Sequence, residues 1–217
     1  MSEETSASIG QRIVSGGVEL LRSRLLSEPP VLPLVPKRGD YDLNPQNRPA
    51  EKIDLKPAAV LLPLILRREA HVLLTQRTHH LTRHAGQVAF PGGRADVNDI
   101  SLVETALRET QEETGIDPAF VTVAGFLEAY ETGTGYAILP VVGILSDGFA
   151  LSPHAAEVAE IFEVPLSFLL DPANKQQQSR EFQGRRRSFY SFTYEGHYIW
   201  GATAAMLLNF GERISAP

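Results

Sequence analysis

Three glutamates, Glu109, Glu112 and Glu113, fall at i, i+3 and i+4 within the segment Ser101 to Ile116, SLVETALRETQEETGI. In a helix, like charges at this spacing repel one another by roughly a few tenths of a kcal/mol. They also lie in the last two turns, where the helix dipole favours Lys or Arg and opposes carboxylates. A helix built for stability alone would reverse that sign. A hard divalent cation resolves the conflict, because Mg²⁺ takes oxygen ligands and binds through a few carboxylates together with substrate phosphates. A solvated acidic face, the ordinary fate of surface glutamates, explains the charge but not its position. Glu104 needs no catalytic role: with Ser101 it forms S-x-x-E, a capping box that starts the helix. Gly115 supplies the left-handed residue that ends it. Val103, Leu107, Thr110 and Thr114 are the expected core-facing stripe.

A second constellation precedes this helix. Ala70 to Ala95 contain no Asp or Glu, but hold Arg77, Arg83, Arg94 and four of the six histidines, His71, His79, His80 and His84. The stretch runs into Phe90-Pro91-Gly92-Gly93, where glycines let backbone N–H groups approach an anion closely. A basic surface loop closed by a Pro-Gly turn explains either half alone. Cationic side chains to hold phosphates, followed at once by clustered carboxylates to hold a metal, are the parts of a phosphoryl-transfer site.

These residues need a scaffold. Ala58 to Leu66 and His71 to Thr75 read as strands joined by the polar turn Arg67-Arg68-Glu69-Ala70. Phe120 to Tyr130, Tyr136 to Leu145 and Ile161 to Pro165 read as further strands. Phe189 to Tyr194 and His197 to Trp200 form a hairpin across Glu195-Gly196, and Ala202 to Phe210 a closing helix. Helices inserted among strands predict an α+β layered domain. Upstream, Ile9 to Leu26 reads as an amphipathic helix weakened by Gly16 and Gly17. Glu28 to Pro57 read as an irregular arm with prolines at 29, 30, 33, 36, 45 and 49. The expected organisation is an N-terminal helix and Pro-rich arm over 1–57 and a catalytic domain over 58–217.

The 217-residue chain has Lys+Arg 20 against Asp+Glu 26, a formal charge of −6 that argues against general nucleic-acid binding. Zero cysteine excludes disulfide scaffolds, Cys-ligated metal and thiol nucleophiles. The longest apolar run, Pro57 to Leu66, is far short of the roughly 20 residues that cross a bilayer, and the polar start MSEETSASIG is no secretory signal. The expectation is a cytoplasmic protein without nucleic-acid or membrane partners.

Arg108-Glu109-Thr110-Gln111-Glu112-Glu113-Thr114-Gly115-Ile116 resembles the tail of the Nudix hydrolase signature, R-E-U-x-E-E-x-G-U with U aliphatic. Gly93 stands at the signature's leading glycine, one residue further from Arg108 than usual. Ile100 replaces its upstream glutamate, with Asp96 and Asp99 the nearest carboxylates. Leu73, Leu74, Thr75, Arg77, Gly86, Phe90, Pro91, Gly92 and Gly93 are similar to the extra motif of the coenzyme A pyrophosphatase branch, L-L-T-x-R-[SA]-x3-R-x3-G-x3-F-P-G-G. Thr78 departs from the usual Ser or Ala, and Thr82 takes the expected arginine position beside Arg83. Pro140-Val141-Val142, Glu157-Val158-Ala159-Glu160 and Ile199-Trp200-Gly201 resemble the branch as well, and the insertion in the box is one of its habits. The resemblance spans roughly Ala58 to Phe210.

It implies an α/β/α sandwich around a mixed sheet and Mg²⁺- or Mn²⁺-assisted hydrolysis of a diphosphate. The implied substrate is a small molecule, coenzyme A or its thioesters, cleaved to 3′,5′-ADP and a 4′-phosphopantetheine product. Glu109, Glu113 and Glu112 are the expected metal ligands. Glu109, Glu112 and Arg108 make up the expected catalytic group, with Arg108 orienting a glutamate. The general base is open between a helix glutamate and Glu128, Glu131, Glu157 or Glu160 from later segments. Arg77, Arg83, Gly92 and Gly93 are the expected substrate contacts. The run Arg185-Arg186-Arg187 is a further phosphate candidate, set against a solvated loop, and Trp200 is expected in the core or a pocket wall. Two alternatives stand: hydrolysis of another diphosphate such as ADP-ribose or a dinucleotide, and a catalytically silent nucleotide-binding module. The N-terminal helix can pack on the core or on a second copy, which would make a homodimer.

Overall fold

The computed structural model describes residues 9–50, 54–81, 84–182 and 184–216. Its elements, in chain order, begin with α1 (Ile9–Arg24), β1 (Arg38–Gly39), β2 (Lys56–Leu66), β3 (Ala70–Arg77), β4 (Val88–Ala89), β5 (Gly92–Arg94) and α2 (Leu102–Thr114). There follow β6 (Val121–Phe126), β7 (Tyr130–Glu131), β8 (Tyr136–Leu145), β9 (Val158–Pro165) and α3 (Leu166–Leu170). The chain closes with β10 (Gln176–Phe182), β11 (Arg185–Tyr194), β12 (His197–Trp200) and α4 (Ala202–Ser215).

Strand β2 is nearly continuous in apolar residues, as a strand covered on both faces must be. It runs parallel to β8 from Lys56 opposite Tyr136 to Ile65 opposite Leu145. Its other edge is shared: β5 pairs antiparallel with Ala58 to Val60, and β3 with Leu64 to Leu66. Strand β9 extends the sheet beyond β3, and β6 and β7 pair with β8. The sheet is therefore mixed. Alternate residues point to opposite faces. Leu62, Leu64, Val72, Leu74 and Val142 join Ile13, Leu21 and Phe210 in the larger core, while Ala59, Leu61, Leu139 and Val141 meet Leu102 and Ala106 of α2. Helix α2 lies on one face and α1 and α4 on the other, giving the expected three-layer α/β/α arrangement.

Several expectations are corrected. The strand expected over Phe120 to Tyr130 is broken into β6 and β7. Its register shifts between Val123 and Gly125, and Gly125 (φ 158°) lies where a Cβ would collide with Leu25. Residues Gln176–Phe182, which show no apolar alternation in the sequence, form the edge strand β10. The Arg185 to Arg187 run opens β11 rather than a solvated loop, with Arg180 opposite Arg187. The resulting three-stranded sheet is docked by Phe192 and Ile199, both fully buried in the larger core. Helix α1 bends at Gly17, yet Ile13 and Leu21 are buried within the same chain. The arm contributes β1, which adds parallel to β7 through Arg38 opposite Tyr130. Among the described residues no helix is long and apolar enough to cross a membrane.

Candidate active site

Helix α2 starts and stops as its sequence dictates. Ser101 Oγ accepts the Glu104 N–H at 3.2 Å, and Glu104 Oε2 accepts the Ile100 N–H at 2.6 Å, so the box closes one residue upstream of the cap. Gly115 (φ 77°) sits in the left-handed region and its N–H reaches Gln111 O. Two of the buried threonines bond back into the helix: Thr110 Oγ1 donates to Ala106 O and Thr114 Oγ1 to Thr110 O, each at 2.6 Å.

The buried stripe is rotated from the expected one. Leu102, Thr105, Ala106, Thr110, Glu113 and Thr114 are buried, whereas Val103 and Leu107 are only partly so. The three glutamates therefore do not share a solvated face. Glu113 is 6% exposed, Glu109 is half-buried, and the Glu112 side chain is 60% exposed.

Each glutamate has a defined partner. Glu113 Oε2 accepts the Gly92 N–H at 3.2 Å, and its Oε1 lies 3.5 Å from Arg77 Nη1. Glu109 Oε1 lies 2.9 Å from Arg108 Nη2 and Glu112 Oε2 3.2 Å from Arg108 Nη1. A Cβ at Gly93 would collide with the Glu109 carboxylate, and one at Gly92 with Ala59 O and the Val60 backbone. The glycine pair thus lets β5 lie flat against β2 while the carboxylates close over it. Burial pushes Glu113 up to about 7, against the opposing pull of the Gly92 N–H and Arg77 and with added repulsion from Glu109 and Glu157. Burial also raises Glu109, and Arg108 only partly offsets it.

Arg108 is held from below. Asp99 takes its Nε at 2.9 Å and its Nη2 at 3.1 Å, a bidentate pair, and accepts the Thr105 hydroxyl at 2.8 Å and the Asp96 N–H at 2.9 Å. In the sequence Asp99 stands out only as a carboxylate near the missing signature glutamate. Its spacing from Arg108 was the available signal.

Arg77 stands where the β3–β9 register shifts, an irregularity that re-aims a side chain. Its Nη2 is 3.9 Å from Glu157 Oε2, so it bridges Glu113 and Glu157. Of the later glutamates, Glu128 pairs with Arg213, Glu131 with Arg48 and Glu160 with His197. Only Glu157 among these four stands beside the α2 carboxylates. Arg83, with Thr82, lies outside the described residues.

Beside the glycine pair opens a cleft of about 920 Å³. Its lining touches the glutamate cluster through Arg77, Gly92 and Gly93, and includes Arg187 and Trp200 of the small sheet. Arm residues Arg38 to Asn44 form another wall, a role no motif in the arm announced.

The donor set suits a hard divalent ion: oxygen ligands, crowded like charges, and burial that leaves the ionised forms under-compensated. Among the described residues no three His, Cys, Asp or Glu side chains form a ready-made cage, and the three α2 carboxylates are paired with Arg77 and Arg108.

Comparison with known proteins identifies the family. The NUDIX domain model matches residues 55–193. A Nudix hydrolase of Photorhabdus laumondii, named NudL and described as uncharacterized, is 43% identical over 157 residues, covering 72% of this chain and 84% of the relative. The protein of the same name from Yersinia enterocolitica is 40% identical over 158 residues, covering 73% and 81%. A solved MutT protein of Methanosarcina mazei aligns at TM-score 0.42 with 25% identity, covering 56% of this chain and 84% of that one. The chain belongs to the Nudix hydrolases, enzymes that generally use divalent metals to hydrolyse nucleoside diphosphate derivatives.

Proposed function

We propose that this protein hydrolyses the diphosphate of coenzyme A or its thioesters, giving 3′,5′-ADP and 4′-phosphopantetheine or its acyl derivative. The observation that carries this reading is the fit between the two motifs. The Phe90-Pro91-Gly92-Gly93 segment of the coenzyme A branch is packed directly on Glu109 and Glu113 of the metal helix. A cleft of about 920 Å³ continues from it, ample for a dinucleotide-sized ligand.

Glu109 and Glu113 would hold Mg²⁺ or Mn²⁺, with Glu112 assisting. When bound, the ion polarises a phosphoryl oxygen and lowers the pKa of a bound water. Arg108 is a positioning residue, pinned by Asp99 and turned toward Glu109 and Glu112. Exposed Glu112 takes the proton of the attacking water, and Glu157 is the competing acceptor. Arg77, Gly92 and Gly93 form the phosphate-facing side, and Arg83 is a further phosphate contact proposed from the sequence alone. The site belongs to a cytoplasmic enzyme that meets small diphosphates.

Purified protein incubated with Mg²⁺ or Mn²⁺ and coenzyme A, acetyl-coenzyme A, ADP-ribose, NADH or a diadenosine polyphosphate decides the matter chromatographically. Release of 3′,5′-ADP from coenzyme A is expected. Thr82 at the branch's arginine position favours the second reading, another diphosphate, which turnover of ADP-ribose or a dinucleotide alone would establish. No turnover of any compound leaves a nucleotide-binding module.

A further inference from the structure

We propose that the end of the cleft built on the small sheet is a second recognition subsite, for a planar base whose nucleoside carries its own phosphate monoester. This rests on reading the α2 end as the diphosphate site. Strand register sets the arrangement. Arg180 faces Arg187 across β10 and β11, Gln178 faces Phe189, Ser191 faces Trp200 and Thr193 faces Tyr198, so these side chains share one side of the sheet. Phe189 and Trp200 meet edge to face at 5.3 Å, and Tyr198 stacks near Trp200 at 6.4 Å. The Arg180 guanidinium lies 5.9 Å from both the Phe189 and the Tyr198 ring centroids. On the opposite face of the same sheet, Lys175 Nζ lies 5.6 Å from the Tyr190 ring.

Phe189, Tyr190, Trp200, Lys175 and Arg180 all line the cleft. Phe189 and Trp200 are only half-buried, so aromatic surface is left at the cavity wall instead of being spent on the core. Among the described residues neither Lys175 nor Arg180 has a carboxylate within ion-pairing distance, unlike Arg77 and Arg108 at the other end. In a chain of net charge −6, the cleft lining carries six Lys or Arg against four Asp or Glu. Ring faces with cations poised over them bind a base by stacking and an attached phosphate by charge-assisted hydrogen bonds. The two ends of one cleft then read two different anionic groups of a single substrate.

Trp200 is the chain's single tryptophan, so its emission reports on this subsite directly. The full chain in metal-free buffer is titrated with adenosine 3′,5′-bisphosphate, AMP and inorganic phosphate. A saturable change in emission is expected with the bisphosphate, at least about tenfold weaker binding with AMP, and no change with phosphate. Arg180→Ala should weaken the bisphosphate about tenfold and raise the KM for coenzyme A with little change in kcat; Arg180→Gln is the second variant, should the first not fold. No saturable emission change with millimolar bisphosphate, or equal affinities for bisphosphate and AMP, overturns the subsite. If coenzyme A is turned over with a KM indifferent to both variants, the subsite fails while the proposed function stands. If the bisphosphate binds as expected but coenzyme A is not cleaved, the proposed function fails while the subsite stands.

Discussion

Asn44 and Ser188, 144 positions apart, are joined by two hydrogen bonds: Ser188 N–H donates to Asn44 Oδ1 at 2.7 Å and Asn44 Nδ2 donates to Ser188 O at 2.8 Å. The same Nδ2 also donates to Asp40 O at 2.8 Å, and Asn44 is 5% exposed. One amide thereby fastens the arm to β11 as a further backbone strand would. Asp40 completes the join, accepting the Tyr130 hydroxyl at 2.8 Å and the Gly133 N–H at 2.7 Å. Two walls of the cleft are set by this clamp.

Asn44→Ala strands a buried N–H and two carbonyls. Unfolding by urea should show a loss of about 2–3 kcal/mol. Because β11 is loosened, the KM for the diphosphate substrate should rise more than kcat falls. Stability and KM both at the parent values would show that the clamp does not shape the cleft.

Glu109→Gln and Glu113→Gln keep side-chain volume and remove the anionic ligand. Each should lower kcat by at least about 100-fold, roughly 3 kcal/mol of barrier, with circular dichroism unchanged. Near-normal turnover by both folded variants would remove them from the metal site. Glu112→Gln and Glu157→Gln form the companion pair, and the larger kcat loss, expected at Glu112, identifies the proton acceptor.

Gly93→Ala places a methyl group against the Glu109 carboxylate. The side chain must swing away, so the Mn²⁺ concentration for half-maximal activity should rise about 10- to 100-fold, the size of effect seen when a ligand's support is lost. Isothermal titration with Mn²⁺ measures it without substrate.

Asp99 connects the site to acid stability. Its hydrogen bonds to the Arg108 guanidinium, the Asp96 N–H and the Thr105 hydroxyl hold its carboxyl well below the ordinary value of 3.8, outweighing the opposing effect of burial. A depressed folded-state pKa means that the stabilisation is complete above the unfolded value and drains away as pH falls below about 4. Asp99→Asn should therefore lower stability at pH 7 and flatten the decline between pH 4 and 2, which urea midpoints across that range will show. An unchanged acid limb in the variant would mean that the pair contributes nothing to folding.

Local chemistry made much of this legible in one dimension. The α2 boundaries follow from Ser101, Glu104 and Gly115 because a cap is decided within a few residues. The apolar density of β2 and β8 announces strands buried on both faces, and the misplaced charges of Glu109, Glu112 and Glu113 single out the candidate site. Those conflicts between sequence and stability need no long-range contact to be seen. What sequence could not rank is exposure. Glu113 sits in the buried stripe and Glu112 in solvent although they are neighbours, because the helix is rotated by packing Leu102 and Ala106 on β2 and β8. Strand β10 has no alternating pattern, since its order comes from backbone pairing with β11. Tertiary structure alone brings Glu157 to Arg77 and Asn44 to Ser188. A side chain's partner across many residues depends on where the sheet carries it, and no spacing along the chain encodes that.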